Sequence, residues 1–398
     1  MSVVEYDIVV IGAGVAGLTA GARLAERGYR VALVTTGEPT ACLSTGCIDL
    51  CANGARPLYA ARELPREHPL HLVSDTDIAE AFGRFLEVMR ERGRVYTGSL
   101  EHNRCVLSAL GTLKTTCLTP AGMAASPQSD NEVIRIITFS GLKDFYPKYI
   151  LSRFAHASFS SYDAGASTTM GIASRLERDE YLEAFIVWLE KLDIRENKIG
   201  LPAVLGMKNT AEVIRRIESR LERPVFEIPT LPPSMPGRRL FNDLKDHFRN
   251  KGGDIFWSWP VVGVEKAGGL IEAVFTRTEG KPNSLNARAF VLATGSFVGG
   301  GLTATRQTIT ENVFDLPVHV PSGREGWFDE DYFSPDHRIG KVGVCVDSSF
   351  RPEHSHWENI FVCGGILAHA QILKNGCGHG LSLATGYAAA GSCAEYLK

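Results

Sequence analysis

Three glycines near the start of the chain have the spacing of a phosphate-binding turn. A short apolar run at 8–11 leads into Gly12-x-Gly14-x-x-Gly17, and a helical pattern follows at once. Gly12 permits a tight turn, Gly14 lets phosphates approach the backbone, and Gly17 lets the helix pack close to the strand. Phosphates would lie against helix-start amides that have no partner within the helix. The motif therefore predicts a nucleotide-type cofactor.

Two later glycine clusters also follow or precede regular elements. The run VLAT leads to Gly295, and the run IFVC leads to Gly364 and Gly365, while Gly376 and Gly378 lie at the start of a final helix. Each cluster alone is as well explained by ordinary turns. In flavoproteins with two dinucleotide-binding domains, such strands return to the first glycine turn and line the flavin. Taken together, the clusters predict that the cofactor is a flavin.

The tip of the second strand departs from the usual nucleotide pattern. A Rossmann unit places an acidic residue there to hold the adenosine ribose. This chain has Thr35 and Thr36 instead, with Glu38 slightly beyond. The Thr35 hydroxyl is a weaker ribose anchor than a carboxylate. Either Glu38 substitutes, the adenosine half is held loosely, or it is absent, in which case the flavin is FMN and not FAD.

A loop of small residues, Ser44, Thr45 and Gly46, follows the second strand. Hydroxyls and backbone amides suit a flavin phosphate or ring edge, because both supply hydrogen-bond donors at close range. We expect this loop to contact the flavin; the alternative is a plain surface loop.

Three cysteines around this loop, Cys42-x4-Cys47-x3-Cys51, have a spacing near that of plant-type iron–sulfur proteins. No fourth thiolate is evident, and flavin contact explains the loop better, so the sequence predicts no metal here. The nine cysteines of the chain follow no disulfide framework spacing, which favours reduced thiols.

Several arginines lie near the glycine clusters and are candidates for holding a substrate phosphate. Arg238 and Arg239 follow a proline-rich turn, Arg306 follows the triple glycine, and Arg324 lies in the run SGREGW. The planar guanidinium captures phosphate through two parallel hydrogen bonds. Because most arginines are simply solvated, each of these is a candidate only.

A base near the substrate hydroxyl is needed when a flavin oxidises an alcohol. His379, in the run NGCGHG at the start of the final helix, is one candidate, and His369 is a second. His379 has two further possible roles, since it could stabilise reduced flavin or bond to the backbone at the helix start.

The elements that must position these residues suggest an α/β chain with a Rossmann-like FAD/NAD(P)-binding fold. A strand–helix–strand unit opens the chain, and similar patterns return after residue 238. Between them lie helical patterns at 78–93, 181–194 and 210–222 and a strand pattern at 133–140. The economical organisation is a discontinuous flavin-binding domain, 1–55 and 238–398, with an inserted middle domain, 56–237.

Bulk composition excludes some partners. With 42 basic and 45 acidic residues, the net charge of −3 gives no reason to expect nucleic acid. No secretory signal is visible, and no run approaches the roughly 20 apolar residues that cross a bilayer. We therefore expect a cytoplasmic chain that reaches a membrane only through a partner.

Seven motifs spread along nearly the whole chain carry a family resemblance. They are IGAGVAGLTAGARLAERG (11–28), STGCIDL (44–50), LGTLKTTCL (110–118), FSGLKDF (139–145), IPTLPPSMPGRRL (228–240), LATGSFVGGGL (292–302) and ENIFVCGGILA (358–368). The chain resembles the B subunits of anaerobic glycerol-3-phosphate dehydrogenase, which belong to the flavoprotein superfamily of fumarate reductase and the glucose-inhibited-division proteins. The interior motifs are the most specific, since flavoproteins in general lack them.

The resemblance implies a complex that oxidises sn-glycerol 3-phosphate to dihydroxyacetone phosphate and passes electrons to menaquinone. It implies two partners, an FAD-containing catalytic subunit and an iron–sulfur subunit at the inner face of the cell membrane. The flavin assigned to this member of the complex is FMN, which agrees with Thr35 in place of a carboxylate, although FAD stays possible.

Two functions stay open at this point. In the first, the chain binds glycerol 3-phosphate and its own flavin accepts the hydride. In the second, it serves electron transfer and assembly alongside a catalytic partner. The lack of a clear base with a phosphate clamp favours the second. An unrelated flavin-dependent reductase of the same superfamily is a third, weaker alternative.

Overall fold

A computed structural model describes residues 3–277 and 283–398 of the chain. These residues form two compact units. The first contains residues up to Thr40, Asp49–Arg92 and Phe241–Lys398, and the second contains Ala41–Ile48 and Gly93–Leu240.

The strands are β1 (Val3–Ile11), β2 (Val31–Thr35), β3 (Tyr96–Gly98), β4 (Arg104–Leu107), β5 (Leu113–Thr116), β6 (Leu118–Pro120), β7 (Ile134–Phe139), β8 (Ala157–Tyr162), β9 (Lys198–Pro202), β10 (Val225–Ile228), β11 (Asp254–Trp257), β12 (Val261–Ala267), β13 (Leu270–Thr276), β14 (Asn283–Leu292), β15 (Leu302–Ala304), β16 (Ile309–Glu311) and β17 (Ile360–Val362). The α-helices are α1 (Val15–Glu26), α2 (Pro57–Arg62), α3 (Asp75–Glu91), α4 (Pro147–Leu151), α5 (Thr169–Leu176), α6 (Asp179–Glu190), α7 (Thr210–Leu221), α8 (Met235–Asn250), α9 (Ile372–Asn375) and α10 (Gly378–Tyr396).

The first unit is built on a mixed sheet with strand order β11-β2-β1-β14-β13-β12, and β17 pairs with the end of β14. Strands β11, β2, β1, β14 and β17 run parallel to one another, whereas β13 pairs antiparallel with β12 and β14. Residues 8–11 and 31–34 are almost wholly buried, as expected for parallel strands covered on both faces. The parallel strands therefore end at one edge of the sheet.

Each of three neighbouring strands ends within three residues of a glycine cluster. β1 ends at Ile11, β14 at Leu292 and β17 at Val362, and the register pairs Ile11 with Leu292 and Leu292 with Val362. Cofactors of open α/β sheets bind outside such strand ends. The predicted Rossmann-like arrangement is confirmed in this unit.

Residues 56–92 lie in the first unit, whereas the sequence pattern predicted them to lie in the middle domain. The physical reason is the packing of α3 against other helices of the first unit. This helix starts at Asp75 after the Ser74 N-cap and ends at Glu91, so it begins earlier and ends earlier than the predicted helix 78–93. Tyr387 on α10 donates a 3.0 Å hydrogen bond to Glu80 on α3, and Arg84 on α3 pairs with Glu26 on α1.

The second unit has its own parallel sheet, in the order β10-β9-β7-β8. The predicted strand at 133–140 and helices at 181–194 and 210–222 are confirmed as β7, α6 and α7. Its core is rich in aromatic residues; the ring centroids of Tyr162 and Phe185 lie 4.9 Å apart, edge to face. Among the described residues, no helix is long and apolar enough to cross a membrane.

Candidate functional site

The first glycine turn has the backbone that the motif predicts. Gly12 has φ +113°, and a Cβ there would clash with the carbonyl oxygen of Ala293. A Cβ on Gly17 would clash with the carbonyl oxygen of Gly12. Gly14 differs, because nothing in the chain lies within 4 Å of a Cβ built there. Close packing thus requires Gly12 and Gly17, whereas Gly14 faces open space where a ligand could approach.

The start of α1 is suited to an anion. Gly14 is the N-cap residue and contributes no side-chain cap, and the first turn contains no acidic side chain. The first-turn amides of a helix have no partner within it, and the helix dipole adds partial positive charge. This end of α1 can therefore hold a phosphate.

The second glycine cluster folds tightly onto the end of β14. Gly295 has φ +74°, and a Cβ on Gly301 would clash with the carbonyl oxygen of Gly295. A Cβ on Gly299 would come within 2.5 Å of the Thr294 carbonyl oxygen. The buried Oγ1 of Thr294 has no hydrogen-bond partner in the described structure. The glycines let the turn after β14 stay compact beside the first turn.

The third cluster joins the other two. A Cβ on Gly364 would lie 2.6 Å from Cβ of Ala16 in α1, and a Cβ on Gly365 would lie 3.9 Å from Cα of Gly295. Thr385 on α10 accepts a 3.0 Å hydrogen bond from the Gly364 amide. The structure therefore brings the three glycine clusters to one edge of the sheet.

The start of α10 lies in the same unit. A Cβ on Gly376, which has φ +51°, would lie 2.5 Å from Cβ of Ala52, and one on Gly378 would lie 3.2 Å from Ile372. The α10 first turn contains no acidic side chain and no side-chain cap. His379, half-buried, is the second residue of this helix. A second long helix thus begins among the predicted cofactor residues.

A buried histidine supports the segment before α9. Nε2 of His68 donates a 3.0 Å hydrogen bond to the Ala370 carbonyl, and Nδ1 accepts one of 3.2 Å from the Leu70 amide. This pattern requires a neutral ring. Burial, aided by repulsion from His71 and His369, lowers the pKa of His68 to about 4.

Thr35 occupies the predicted place at the tip of β2, but its hydroxyl bonds to the turn. Oγ1 donates a 2.9 Å hydrogen bond to the Gly37 carbonyl and accepts one of 3.3 Å from the Gly37 amide. Glu38 is exposed and has a polar contact of its own. The local turn therefore already uses the hydroxyl that was expected to anchor a ribose.

The predicted flavin-contact loop belongs to the second unit. Ser44 Oγ donates to the Ala41 carbonyl and accepts from the Gly46 amide, at 2.8 and 3.2 Å. Thr45 Oγ1 accepts a 3.3 Å hydrogen bond from the Cys47 amide. Both hydroxyls thus shape the loop itself, which holds Gly46 at φ +73°.

No disulfide joins any of the nine cysteines, all of which lie in the described part of the chain. Cys42 is buried, and Cys47 packs with Val106 and Met123 in a small core of the second unit. Burial raises the pKa of the Cys51 thiol in the first unit.

Arg239 is committed to a buried ion pair in the second unit. Its Nη1 lies 2.6 Å from Oε2 of Glu227, and its Nε donates a 2.9 Å hydrogen bond to the Gly206 carbonyl. The candidate role of Arg239 in phosphate binding is therefore wrong, because the guanidinium is buried and neutralised. Its neighbour Arg238 is half-buried and also has a polar contact.

The other two arginine candidates lie together on the surface of the first unit. Nη1 of Arg324 donates to the carbonyls of Thr305 and Arg306, at 2.9 and 3.0 Å, and its guanidinium lies over the Trp327 ring. Both arginines are exposed. The structure thus brings Arg306 and Arg324 to one loop region.

Sequence reasoning missed two residues that the structure places beside His369. His319 and Cys345 each offer a ligand atom within 4.8 Å of the others. Each lies between two valines, in the runs VHV and VCV. A polar residue among alternating apolar residues is the signal that could have singled them out.

A flavin fits the residues of the first unit. The open space at Gly14, the uncapped start of α1 and the partnerless Thr294 hydroxyl are features that a phosphate-bearing ligand would use. Gly12, Gly17, Gly295 and Gly364 would each become crowded or strained with any side chain.

The FAD binding domain family model matches residues 7–381. A Pectobacterium atrosepticum protein, named as the B subunit of anaerobic glycerol-3-phosphate dehydrogenase, is 31% identical over 422 residues, which cover 95% of this chain and 96% of that protein. A Halobacterium salinarum protein, named as a probable B subunit of the same dehydrogenase, is 29% identical over 98% of both chains. The solved structure of Mycobacterium smegmatis Sdh1 in complex with UQ1 aligns over 100% of this chain and 69% of its own, with 15% identity and a TM-score of 0.42.

Proposed function

The chain belongs to the FAD binding domain family and to the B subunits of anaerobic glycerol-3-phosphate dehydrogenase, and we propose that it carries a flavin for oxidation of sn-glycerol 3-phosphate to dihydroxyacetone phosphate, with the electrons passed to a quinone. The observation that carries this proposal is the meeting of three glycine clusters beside the uncapped start of α1.

When bound, a flavin supplies the hydride acceptor for oxidation of the substrate carbinol. The chain's own residues bind and orient it. Amides at the start of α1 would hold a phosphate, and Gly14 would let that phosphate approach the backbone. The positive end of α10 would favour negative charge on the ring. Ser44, Thr45 and Gly46 are proposed as further residues for flavin contact.

We assign His379 as the proton acceptor for the substrate hydroxyl. Oxidation of an alcohol releases the hydroxyl proton as the carbinol hydride leaves, and a positioned imidazole can accept that proton. Its position in the first turn of α10, among Gly376, Gly378 and Gly380, supports the assignment. Arg306 and Arg324 are proposed to hold the substrate phosphate, with Arg238 as a third candidate.

The flavin is proposed to be FMN. β2 ends at Thr35, without the carboxylate that usually holds an adenosine ribose. Both hydrogen bonds of the Thr35 hydroxyl go to Gly37, so this hydroxyl is already used by the local turn. Mass spectrometry of the released cofactor tests this, because an adenine-containing mass identifies FAD and overturns the assignment.

The proposed partners are an FAD-containing catalytic subunit and an iron–sulfur subunit that attaches the complex to the inner face of the cell membrane. Co-purification of the three chains from membranes tests this. Recovery of the chain without either partner contradicts it.

A second candidate function is electron transfer without substrate oxidation. The arginine geometry favours it in one respect, because Arg239 is neutralised by Glu227 and Arg324 already donates to two carbonyls.

Anaerobic reduction of the flavin distinguishes the two functions. The purified chain is mixed with sn-glycerol 3-phosphate, or with glycerol as the control that lacks the phosphate, and flavin absorbance is followed. Bleaching of the chain alone supports substrate oxidation by its own flavin. Bleaching only after the catalytic partner is added supports electron transfer, and no bleaching in the full complex contradicts both.

A further inference from the structure

A cluster of two imidazoles and one thiol lies in the first unit, outside the glycine clusters. Its members are His319, Cys345 and His369, and their potential ligand atoms all lie within 4.8 Å of one another. The two imidazole rings have centroids 4.2 Å apart and are tilted by 43°. All three side chains are half-buried, so the cluster is accessible from solvent while its surroundings hold it in place.

The backbone holds the three segments together. His319 and Gly343 form an antiparallel bridge, with hydrogen bonds of 2.7 and 3.3 Å. Val344 and Leu367 form a parallel bridge, and the His369 amide donates a 3.0 Å hydrogen bond to the Lys341 carbonyl. The cluster is therefore preorganised by main-chain pairing and does not depend on side-chain packing alone.

The close approach of these backbone segments requires a glycine at one position and strains the backbone at two others. A Cβ on Gly343 would clash with the Ile366 carbonyl oxygen, so the approach needs glycine. His369 and Gln371 have φ of +62° and +40°, which is costly for residues other than glycine. Such strain is concentrated at functional sites, where the surrounding structure maintains it.

Burial and the surrounding charges favour neutral imidazoles in the cluster. Burial and the nearby Lys341 lower the pKa of His319, and burial, His319 and Lys341 lower the pKa of His369, while Glu67 acts on His369 in the opposite direction. Burial and Glu353 raise the pKa of the Cys345 thiol. Neutral imidazoles have the lone pair that a metal needs, and a bound metal deprotonates a thiol outright.

We propose that His319, Cys345 and His369 form a binding site for a borderline divalent cation, with Zn²⁺ as the best match. Two imidazole nitrogens and one thiolate sulfur are a donor set that zinc accepts, whereas Mg²⁺ and Ca²⁺ prefer oxygen. Three protein ligands leave the fourth tetrahedral position for water or a ligand oxygen. When zinc binds, the Zn–S bond replaces the S–H bond of Cys345 and the proton passes to solvent. The site does not depend on the proposed function.

Zinc binding to the untagged, flavin-loaded chain is measured by isothermal titration calorimetry, with Mg²⁺ as the oxygen-preferring control. We expect one zinc per chain and no competition from Mg²⁺. X-ray absorption at the zinc edge identifies the ligands. We expect one sulfur at about 2.3 Å and two nitrogens at about 2.0–2.1 Å.

The variants Cys345→Ser and His369→Ala test the assignment, with Cys105→Ser and His156→Ala as matched controls outside the cluster. We expect each cluster variant to lower zinc affinity by about 100-fold or more, since even indirect support of a ligand is worth 10–100-fold. The controls should retain wild-type affinity. Circular dichroism and flavin absorbance establish that the variants are folded.

Three results would overturn the proposed zinc site. They are the absence of stoichiometric zinc, an absorption spectrum without sulfur, and unchanged affinity in folded cluster variants. None of these measurements depends on enzyme activity, so their failure is distinct from failure of the glycerol 3-phosphate proposal.

Discussion

Gly17 packs directly against the carbonyl oxygen of Gly12, with no room for a Cβ between them. This contact joins the first turn of α1 to the end of β1. Gly14, between them in sequence, has open space around it. The glycines of one motif thus have separable roles, two in packing and one in leaving room for a ligand.

Gly17→Ala is expected to destabilise the fold. The methyl group would meet the Gly12 backbone, which is itself packed against Ala293 just after β14, and overpacking of this kind costs about 3 kcal/mol. Urea unfolding of the purified variant measures the loss. Gly83→Ala is the control, because that glycine lies exposed on α3 with nothing within 4 Å of a Cβ. Equal stability of the two variants would contradict the packing role.

Gly14→Ala is expected to affect the cofactor far more than the fold. Gly14 has φ −69°, which alanine adopts readily, so the free energy of unfolding without flavin should change by less than about 1 kcal/mol. A methyl group in the ligand space should lower flavin affinity by about tenfold or more, which is about 1.4 kcal/mol. Fluorescence titration of the stripped chain with flavin measures this. Wild-type affinity would place the phosphate elsewhere.

Arg324→Ala and Arg306→Ala are expected to weaken substrate binding. A charge-assisted phosphate contact is worth about 1.5–3 kcal/mol, so KM for sn-glycerol 3-phosphate should rise by about tenfold or more. Steady-state kinetics of the assembled complex supply the measurement. Arg215→Ala is the matched control, because Arg215 is an exposed arginine paired with Glu212 on α7. An unchanged KM in both variants would remove these arginines from the substrate site.

Arg239→Met is expected to act on stability and not on KM. It leaves the fully buried Glu227 carboxylate without its partner, and breaking a buried pair costs about 3–5 kcal/mol. The double variant Glu227→Gln/Arg239→Met should recover part of that loss. Urea unfolding of both variants tests the coupling. A double variant less stable than Arg239→Met would contradict it.

His68 is expected to make stability pH-dependent. Its pKa falls from 6.5 in the unfolded chain to about 4 in the folded one, so the unfolded chain binds more protons between these values. The contribution of the neutral ring to the free energy of unfolding is fully present above pH 6.5, and about 3 kcal/mol of it is lost as the pH falls towards 4. Urea unfolding across this range measures the slope.

His68→Asn provides the comparison, since asparagine can still accept from the Leu70 amide but does not titrate. We expect the variant to lose part of the pH dependence, whereas His156→Gln, at an exposed position, should keep it. Identical slopes in His68→Asn and wild type would show that His68 does not control this transition.

Much of the fold was predictable because local signals agreed with tertiary packing. The run at 8–11 is continuously apolar, which is typical of a strand buried on both faces, and the glycines after it require particular backbone geometry. The patterns at 181–194 and 210–222 became α6 and α7 for the same reason. The prediction for residues 56–92 named the other unit, because helix periodicity does not show which sheet a helix packs against.

Side-chain roles were harder to predict than elements. The sequence suggested Arg239 as a phosphate ligand, but it could not show that Glu227 on strand β10 would neutralise Arg239 on helix α8. The Thr35 hydroxyl had the right type and place, yet its partner is the local turn at Gly37. In both cases the partner depends on which polar atoms lie nearby in the folded chain, and the residue type alone does not reveal that.

By itself, the sequence determined the glycine turn, the order of strands and helices, and the family, because these depend on local backbone requirements and apolar periodicity. Only the tertiary structure decided which distant residues meet. Gly295 and Gly365 come together because β14 and β17 are neighbours in one sheet. His319, Cys345 and His369 meet because short bridges at Gly343 and Val344 join separate segments. Such pairing is set by backbone hydrogen bonds between residues that are far apart in sequence, and local sequence patterns do not reveal these bonds.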